Sequence, residues 1–199
     1  MFPNPSTISR IFLTLPLLLV SSTAMAHIEE GIVGGFVSGF LHPIYGWDHV
    51  VAMVAVGLWG SFLGSPAIWM LPVVFPLVMA LGGALGVLGV PLPFVEIGIA
   101  GSALVLGLMV ALAVRPPLSL AAAIVGIFAI FHGHAHGTEL PSASNPLSYA
   151  IGFVMATGLL HLAGIGFALV DKWPGGAIAV RAAGGLIALL GVLFLAGVF

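Results

Sequence analysis

Long blocks of apolar residues fill almost the whole chain, and short stretches rich in proline, glycine or charge separate them. About 20 apolar residues are enough for a helix to cross the hydrocarbon core of a bilayer. The pattern therefore predicts an all-α integral membrane protein with six transmembrane helices, near residues 31–63, 67–89, 94–114, 117–137, 147–170 and 177–199.

The first of these blocks is too long for one straight helix, because 33 residues at 1.5 Å each would reach roughly 50 Å. Its middle contains Pro43, a helix breaker, and Gly46. We therefore expect the first span to be kinked or broken at this point.

The amino-terminal segment has the features of a secretory signal. A short stretch with one cation, Arg10, precedes an apolar run at 11–20, and small residues follow at Ala24 and Ala26. This order predicts a cleaved signal peptide at 1–26 and a transmembrane domain at 27–199 that begins with His27. The alternative, an uncleaved first helix, is disfavoured by Pro16 and by the short run.

A periplasmic amino terminus would fix the direction of every span. With six crossings, the loop that carries Arg115 and the loop flanked by Lys172 and Arg181 then face the cytoplasm, as the positive-inside rule requires.

The amino-acid composition limits the kinds of binding site and partner that the protein can have. Hydrophobic residues make up 61% of the chain and charged residues 5%, against roughly half and a quarter in a soluble domain. Four Lys and Arg against six Asp and Glu give no basic surface for nucleic acid, so the bilayer is the expected surrounding. Cysteine is absent, whereas seven histidines are present, so any site must use imidazole and carboxylate. No motif identifies a protein partner, and a homo-oligomer is compatible with the composition.

Ionisable residues inside apolar spans are costly and are usually kept for function. Here they form groups, with an acid, Glu96, at the start of the third span. His132, His136 and Glu139 are spaced i, i+4 and i+7 and so share one helix face. In the six-span topology this face and Glu96 approach the outer mouth together. The first span supplies the second group, namely His42, Asp48 and His49.

Imidazole with carboxylate predicts a site for a divalent transition metal such as Ni, Co, Cu, Zn or Fe. Three other side chains have more than one interpretation. Met53 and His161 are more typical of packing than of ligation, and His134 is equally consistent with either. A terminal amine next to the His27 imidazole would form a chelate, which makes His27 a candidate first acceptor of the ion.

At these residues the chain resembles the HupE/UreJ proteins, bacterial inner-membrane permeases associated with nickel supply to hydrogenase and urease. The family pattern His-Pro-x-x-Gly-x-Asp-His-x-x-x-Met-x-x-Val-Gly begins at His42, and Phe-His-Gly-x-Ala-His-Gly-x-Glu begins at Phe131. The resemblance covers the whole length. It implies a multi-pass inner-membrane permease that is not an enzyme, with Ni²⁺ or Co²⁺ as cargo and no permanently bound cofactor.

The expected metal-binding residues are therefore His27, His42, Asp48, His49, Glu96, His132, His136 and Glu139. Two other classes fit part of the pattern. One is an integral-membrane metalloenzyme that retains Zn or Fe and activates water. The other is a haem-binding electron carrier, which would have to explain the carboxylates among the histidines.

Overall fold

The computed structural model describes residues 32–140 and 145–198, and in those ranges the chain is helical and contains no strand. A 3₁₀ turn, Leu169–Lys172, follows the sixth helix. In chain order the helices are α1 (Ile32–Tyr45), α2 (Trp47–Leu63), α3 (Ala67–Val87), α4 (Val95–Ala111), α5 (Leu118–Thr138), α6 (Pro146–Ala168) and α7 (Gly176–Leu195).

Four of the described helices, α3, α5, α6 and α7, are long and apolar enough to cross a membrane. The bent pair of α1 and α2 provides a fifth candidate span, and its break confirms the prediction for the first block. At 17 residues, α4 is shorter than the four helices that are long enough to span a membrane. The helices coincide with the predicted spans to within a few residues, while the signal peptide predicted at 1–26 lies outside the described residues.

α2 is the centre of the bundle. It contacts α3, α4, α6 and α7, whereas the outer helices pair as α3 with α5, α4 with α7 and α1 with α6. Its side chains are apolar around most of its circumference, which is typical of a fully surrounded helix. Met53, Leu58 and Trp59 are among its buried residues, so Met53 has the packing role that the sequence favours.

Glycines allow the helices around the site to pack at close range. A Cβ atom on Gly82 or Gly86 of α3 would overlap a backbone carbonyl of α5, and one on Gly39 would overlap the carbonyl of Tyr149 in α6. Close backbone contacts at small residues are typical of helix packing in membranes. Gly64 is required for its backbone conformation and not for packing, because it ends α2 with a φ of +80° and has open space around it.

The two ends of the bundle differ in charge. Arg115 lies 4.3 Å from the ring centroid of Phe62, near the end of α2. Arg181 donates a hydrogen bond of 2.8 Å to the carbonyl of Ala111, at the end of α4. Both cations therefore lie at the end opposite the first turns of α2 and α4, which carry Asp48 and Glu96.

Candidate metal centre

The break between α1 and α2 creates the first half of the site. The axes of the two helices differ by 80° on either side of Gly46. Pro43 lies inside α1 and has no backbone N–H to donate, which weakens the helix just before the bend. The amide of Gly46 still donates to the carbonyl of His42, at 3.3 Å. As a result, the last turn of α1 and the first turn of α2 line the same cavity.

Three side chains meet beside this cavity, and we call them the outer centre: His42 and Glu139, which line the cavity, and His136, which is buried next to them. One ligand atom from each lies within 4.8 Å of the others. His42 Nε2 is 3.9 Å from Glu139 Oε2, and the rings of His42 and His136 are 4.7 Å apart. Nitrogen and oxygen ligands lie about 2.0–2.2 Å from a bound transition metal, so two of them on opposite sides of one ion are about 4 Å apart. Small side-chain movements would therefore close the outer centre around an ion.

The next imidazole is His49, which Asp48 orients. Asp48 Oδ1 accepts hydrogen bonds from the His49 backbone N–H at 2.8 Å and from ring Nδ1 at 2.7 Å. This assigns the proton to Nδ1, so Nε2 carries a free lone pair. Nε2 is buried and has no hydrogen-bond partner among the described residues. A carboxylate that orients a histidine in this way is typical of metal-ligating histidines.

His132 lies deeper and is fully buried. Ser102 Oγ donates to the Ile99 carbonyl at 2.6 Å and lies 2.9 Å from His132 Nε2. A hydroxyl has one proton, and the carbonyl takes it, so His132 Nε2 must be the donor in the second bond. This leaves the lone pair on Nδ1, which has no partner in the described part of the chain.

The four histidines form a continuous series of rings, which we call the imidazole column: His42, His136, His49 and His132. Successive ring centroids are 4.7, 4.6 and 4.8 Å apart. Both ring nitrogens of His136 are also buried without a partner in the described residues. Such lone pairs are the ligands that Ni, Co, Cu and Zn accept.

Glu96 is exposed and lies at the same mouth. It lines a cavity of about 760 Å³ together with His42, Asp48, His49 and Glu139. Glu96 and Asp48 also line a second, smaller cleft beside Trp47. The structure therefore brings together the seven predicted site residues that it describes, from α1, α2, α4 and α5.

His134 lies apart from the column. His134 Nε2 lies 2.7 Å from the carbonyl of Val90, in the loop between α3 and α4, so its ring is directed away from the column. His27, the predicted first acceptor, lies outside the described residues.

Several residues beside the column are not distinguished by the sequence. The ring of Phe153 lies 4.1 Å from that of His136, and Phe75 lies 5.5 Å from His132. Tyr149 is buried one turn before Phe153. A single aromatic or a single serine such as Ser102 in an apolar helix carries no spacing signal of its own, so only the tertiary contacts identify these residues.

Comparison with known proteins agrees with this arrangement of motifs. Residues 15–194 match the family described as HupE / UreJ protein. The chain is also 47% identical to Protein HupE of Rhizobium leguminosarum bv. viciae over 189 residues, which cover 95% of this chain and 98% of that protein. No solved structure matches the chain. With a family match over most of its length and a relative of this similarity, the chain belongs to the HupE/UreJ family.

Proposed function

We propose that this protein is a permease that imports Ni²⁺, with Co²⁺ as a second cargo, and supplies hydrogenase or urease maturation. The observation that carries the proposal is the outer centre, where ligand atoms of His42, His136 and Glu139 converge to within 4.8 Å beside a cavity that His42 and Glu139 line. Behind it the imidazole column leads inward, as a path for an ion requires. Membership of the HupE/UreJ family supports nickel as the cargo.

The transport step begins with electrostatic capture. Glu96 and Glu139 raise the local concentration of cations at the mouth. His42, His136 and Glu139 then replace part of the water shell of the ion. His49 and His132 offer the next lone pairs, because Asp48 and Ser102 hold the protons of both rings on their other nitrogens.

The proposed topology has six crossings after removal of residues 1–26, in the bacterial inner membrane. α1 and α2 form one broken crossing, and the 17 residues of α4 span about 25 Å, near the lower limit for a bilayer. Cations cluster at the end of the bundle opposite the outer centre. The positive-inside rule then places the outer centre and the mature amino terminus in the periplasm.

The membrane potential is a sufficient driving force in this orientation. Each elementary charge gains about 2.3 kcal/mol per 100 mV, so a divalent ion moving inward gains about 4.6 kcal/mol. We further propose that His27, with its free amine, delivers the ion to His136.

Uptake of ⁶³Ni²⁺ by nickel-depleted cells tests the proposal. Cells with the protein should accumulate nickel beyond the number of copies of the protein, and excess Co²⁺ should compete better than Zn²⁺. His42→Ala, His136→Ala and Glu139→Ala should each abolish accumulation at normal membrane levels. If the metal found is Zn or Fe, stays stoichiometric with the protein, and cellular nickel does not rise, the protein is a metalloenzyme or carrier rather than a permease.

A further inference from the structure

Glycines lock the helices that carry the metal ligands into two separate units. The first is formed by α3 and α5. A Cβ atom on Gly82 or Gly86 of α3 would overlap a backbone carbonyl of α5, and one on Gly133 or Gly137 of α5 would overlap a carbonyl of α3. Backbones that interlock from both sides resist sliding past each other. We therefore treat these two helices as one body, the α3–α5 unit.

The second unit consists of α1, α2 and α6. A Cβ atom on Gly39 of α1 or on Gly57 of α2 would overlap a backbone carbonyl of α6. Gly152 and Gly164 of α6 make the reciprocal contacts, the first with the backbone of α1 and the second with that of α2. These three helices are thus held together in the same way, and we call them the α1–α2–α6 unit.

The contact between the two units is looser beside the outer centre. The described helices α5 and α6 follow each other in the chain but hardly touch. A groove of about 230 Å³ separates α6 from the α3–α5 unit, and its lining is apolar apart from the side chains of His136 and Tyr149. Among the described glycines, only Gly60 approaches the backbone of the other unit, where its Cβ would lie 3.1 Å from the Ala67 carbonyl. That contact is next to the α2–α3 connection, at the end far from the outer centre.

The metal ligands are divided between these units. In the imidazole column, His42 and His49 belong to the α1–α2–α6 unit, whereas His136 and His132 belong to the α3–α5 unit. The rings alternate along the column, so each of its three contacts, at 4.7, 4.6 and 4.8 Å, joins one unit to the other. A displacement of one unit against the other therefore changes every spacing along the proposed path of the ion.

We infer that import requires a swing of the α3–α5 unit against the α1–α2–α6 unit, with the α2–α3 connection as the pivot and the apolar groove as the space for the movement. This inference rests on the proposed function and adds the moving parts. Helices that meet through side chains can shift against each other, whereas helices with interlocked backbones move together. The swing changes the spacing of the rings and lets the ion pass from the outer centre to His49 and His132.

Reversible cross-linking across the groove tests this movement, because the chain contains no cysteine and introduced pairs are its only thiols. The groove pair, Ala84→Cys on α3 with Ala150→Cys on α6, occupies exposed positions in the two walls of the groove. A bifunctional methanethiosulfonate reagent links the two thiols, and a thiol reductant releases the link. Linking should slow ⁶³Ni²⁺ uptake into proteoliposomes by about tenfold or more, because a required conformational step is blocked, and reduction should restore it.

The matched control links two positions within one unit. The control pair, Val87→Cys on α3 with Leu140→Cys after α5, lines the same groove. Its link should leave uptake within about twofold of the unlinked protein, since both positions move together. Each single-cysteine variant, treated with the same reagent, controls for the volume added to the groove. If the groove pair fails to fold, Ala80→Cys with Val154→Cys replaces it, because these residues also lie on α3 and α6 in the lining.

The rate of cross-linking in detergent is a second readout, and it does not depend on transport. Nickel bound between the units should change this rate by about twofold or more for the groove pair, because the ion shifts the balance between the positions of the units, and should not change it for the control pair.

The outcomes separate this inference from the proposed function. If the linked groove pair imports nickel at the unlinked rate, or if the control link inhibits equally, the units do not move as inferred and the permease remains. If wild type imports no nickel, the proposed function is wrong, and the rates of cross-linking still decide the movement. Equal rates with and without nickel would then overturn it.

Discussion

Replacing Asp48 by asparagine tests whether its carboxylate orients His49. Asp48 Oδ1 accepts two hydrogen bonds from His49, one from the backbone at 2.8 Å and one from ring Nδ1 at 2.7 Å. Asparagine has the same shape and keeps a carbonyl oxygen at this position, but it has no negative charge. The substitution Asp48→Asn therefore weakens both hydrogen bonds without removing them.

The size of the effect follows from the type of hydrogen bond. Bonds to a charged group contribute about 1.5–3 kcal/mol, and neutral ones about 0.5–1.5 kcal/mol. The Asp48 side chain is 30% exposed, so solvent screens it and the smaller difference, about 1 kcal/mol per bond, applies. Two bonds then give about 2 kcal/mol, which corresponds to nickel binding weakened about 30-fold.

The assay is initial ⁶³Ni²⁺ uptake over a range of nickel concentrations. We expect KM to rise about 30-fold with little change in the maximal rate, because saturating nickel compensates for weaker binding. Asp171→Asn is the matched control, since it removes a carboxylate at the cationic end of the bundle. A KM within twofold of wild type would refute the orienting role. Complete loss of uptake at saturating nickel would instead make Asp48 a direct ligand.

Three further predictions follow from the packing and topology. Ser102→Ala should weaken nickel binding by about tenfold or more, measured by dialysis, because His132 loses the hydrogen bond that fixes the proton on its Nε2. Gly133→Ala should destabilise the protein by about 1–3 kcal/mol in a detergent melting assay, since its Cβ would overlap the Met79 carbonyl, whereas Gly158→Ala faces open space and should not. Reporters fused after Leu140 and Trp173 should be periplasmic and cytoplasmic, respectively, and the reverse pattern would invert the proposed direction of capture.

Local sequence patterns predict much of the helical framework. Apolar length and the positions of proline and glycine locate the helices, and the break at Gly46 follows from a block too long for one straight span. The i, i+4, i+7 spacing predicts that His132, His136 and Glu139 share a face, and the structure places His136 and Glu139 together at the mouth. Patterns within one helix carry this information because they depend on helical geometry alone.

The neighbours of these side chains depend on contacts between distant segments. Ser102 meets His132 only because α4 packs against α5. Phe75 separates His132 from His161 through the position of α3, which the spacing of residues along the chain does not reveal. His161 is typical of packing by sequence, and its interaction with the backbone of Pro72 on α3 is likewise visible only in the tertiary structure.

The negative charge around the metal ligands decreases from the mouth to the interior along the proposed path. The outer centre contains the carboxylate of Glu139, and the carboxylate of Asp48 lies against His49, whereas His132, deeper in the bundle, has the neutral hydroxyl of Ser102 beside it. Carboxylates at the mouth offset the hydration that the ion loses on entry. A path that conducts must bind strongly enough to capture the ion and weakly enough to release it. Weaker, neutral ligands inside meet the second requirement, and the membrane potential compensates for the lost binding energy as the ion moves inward.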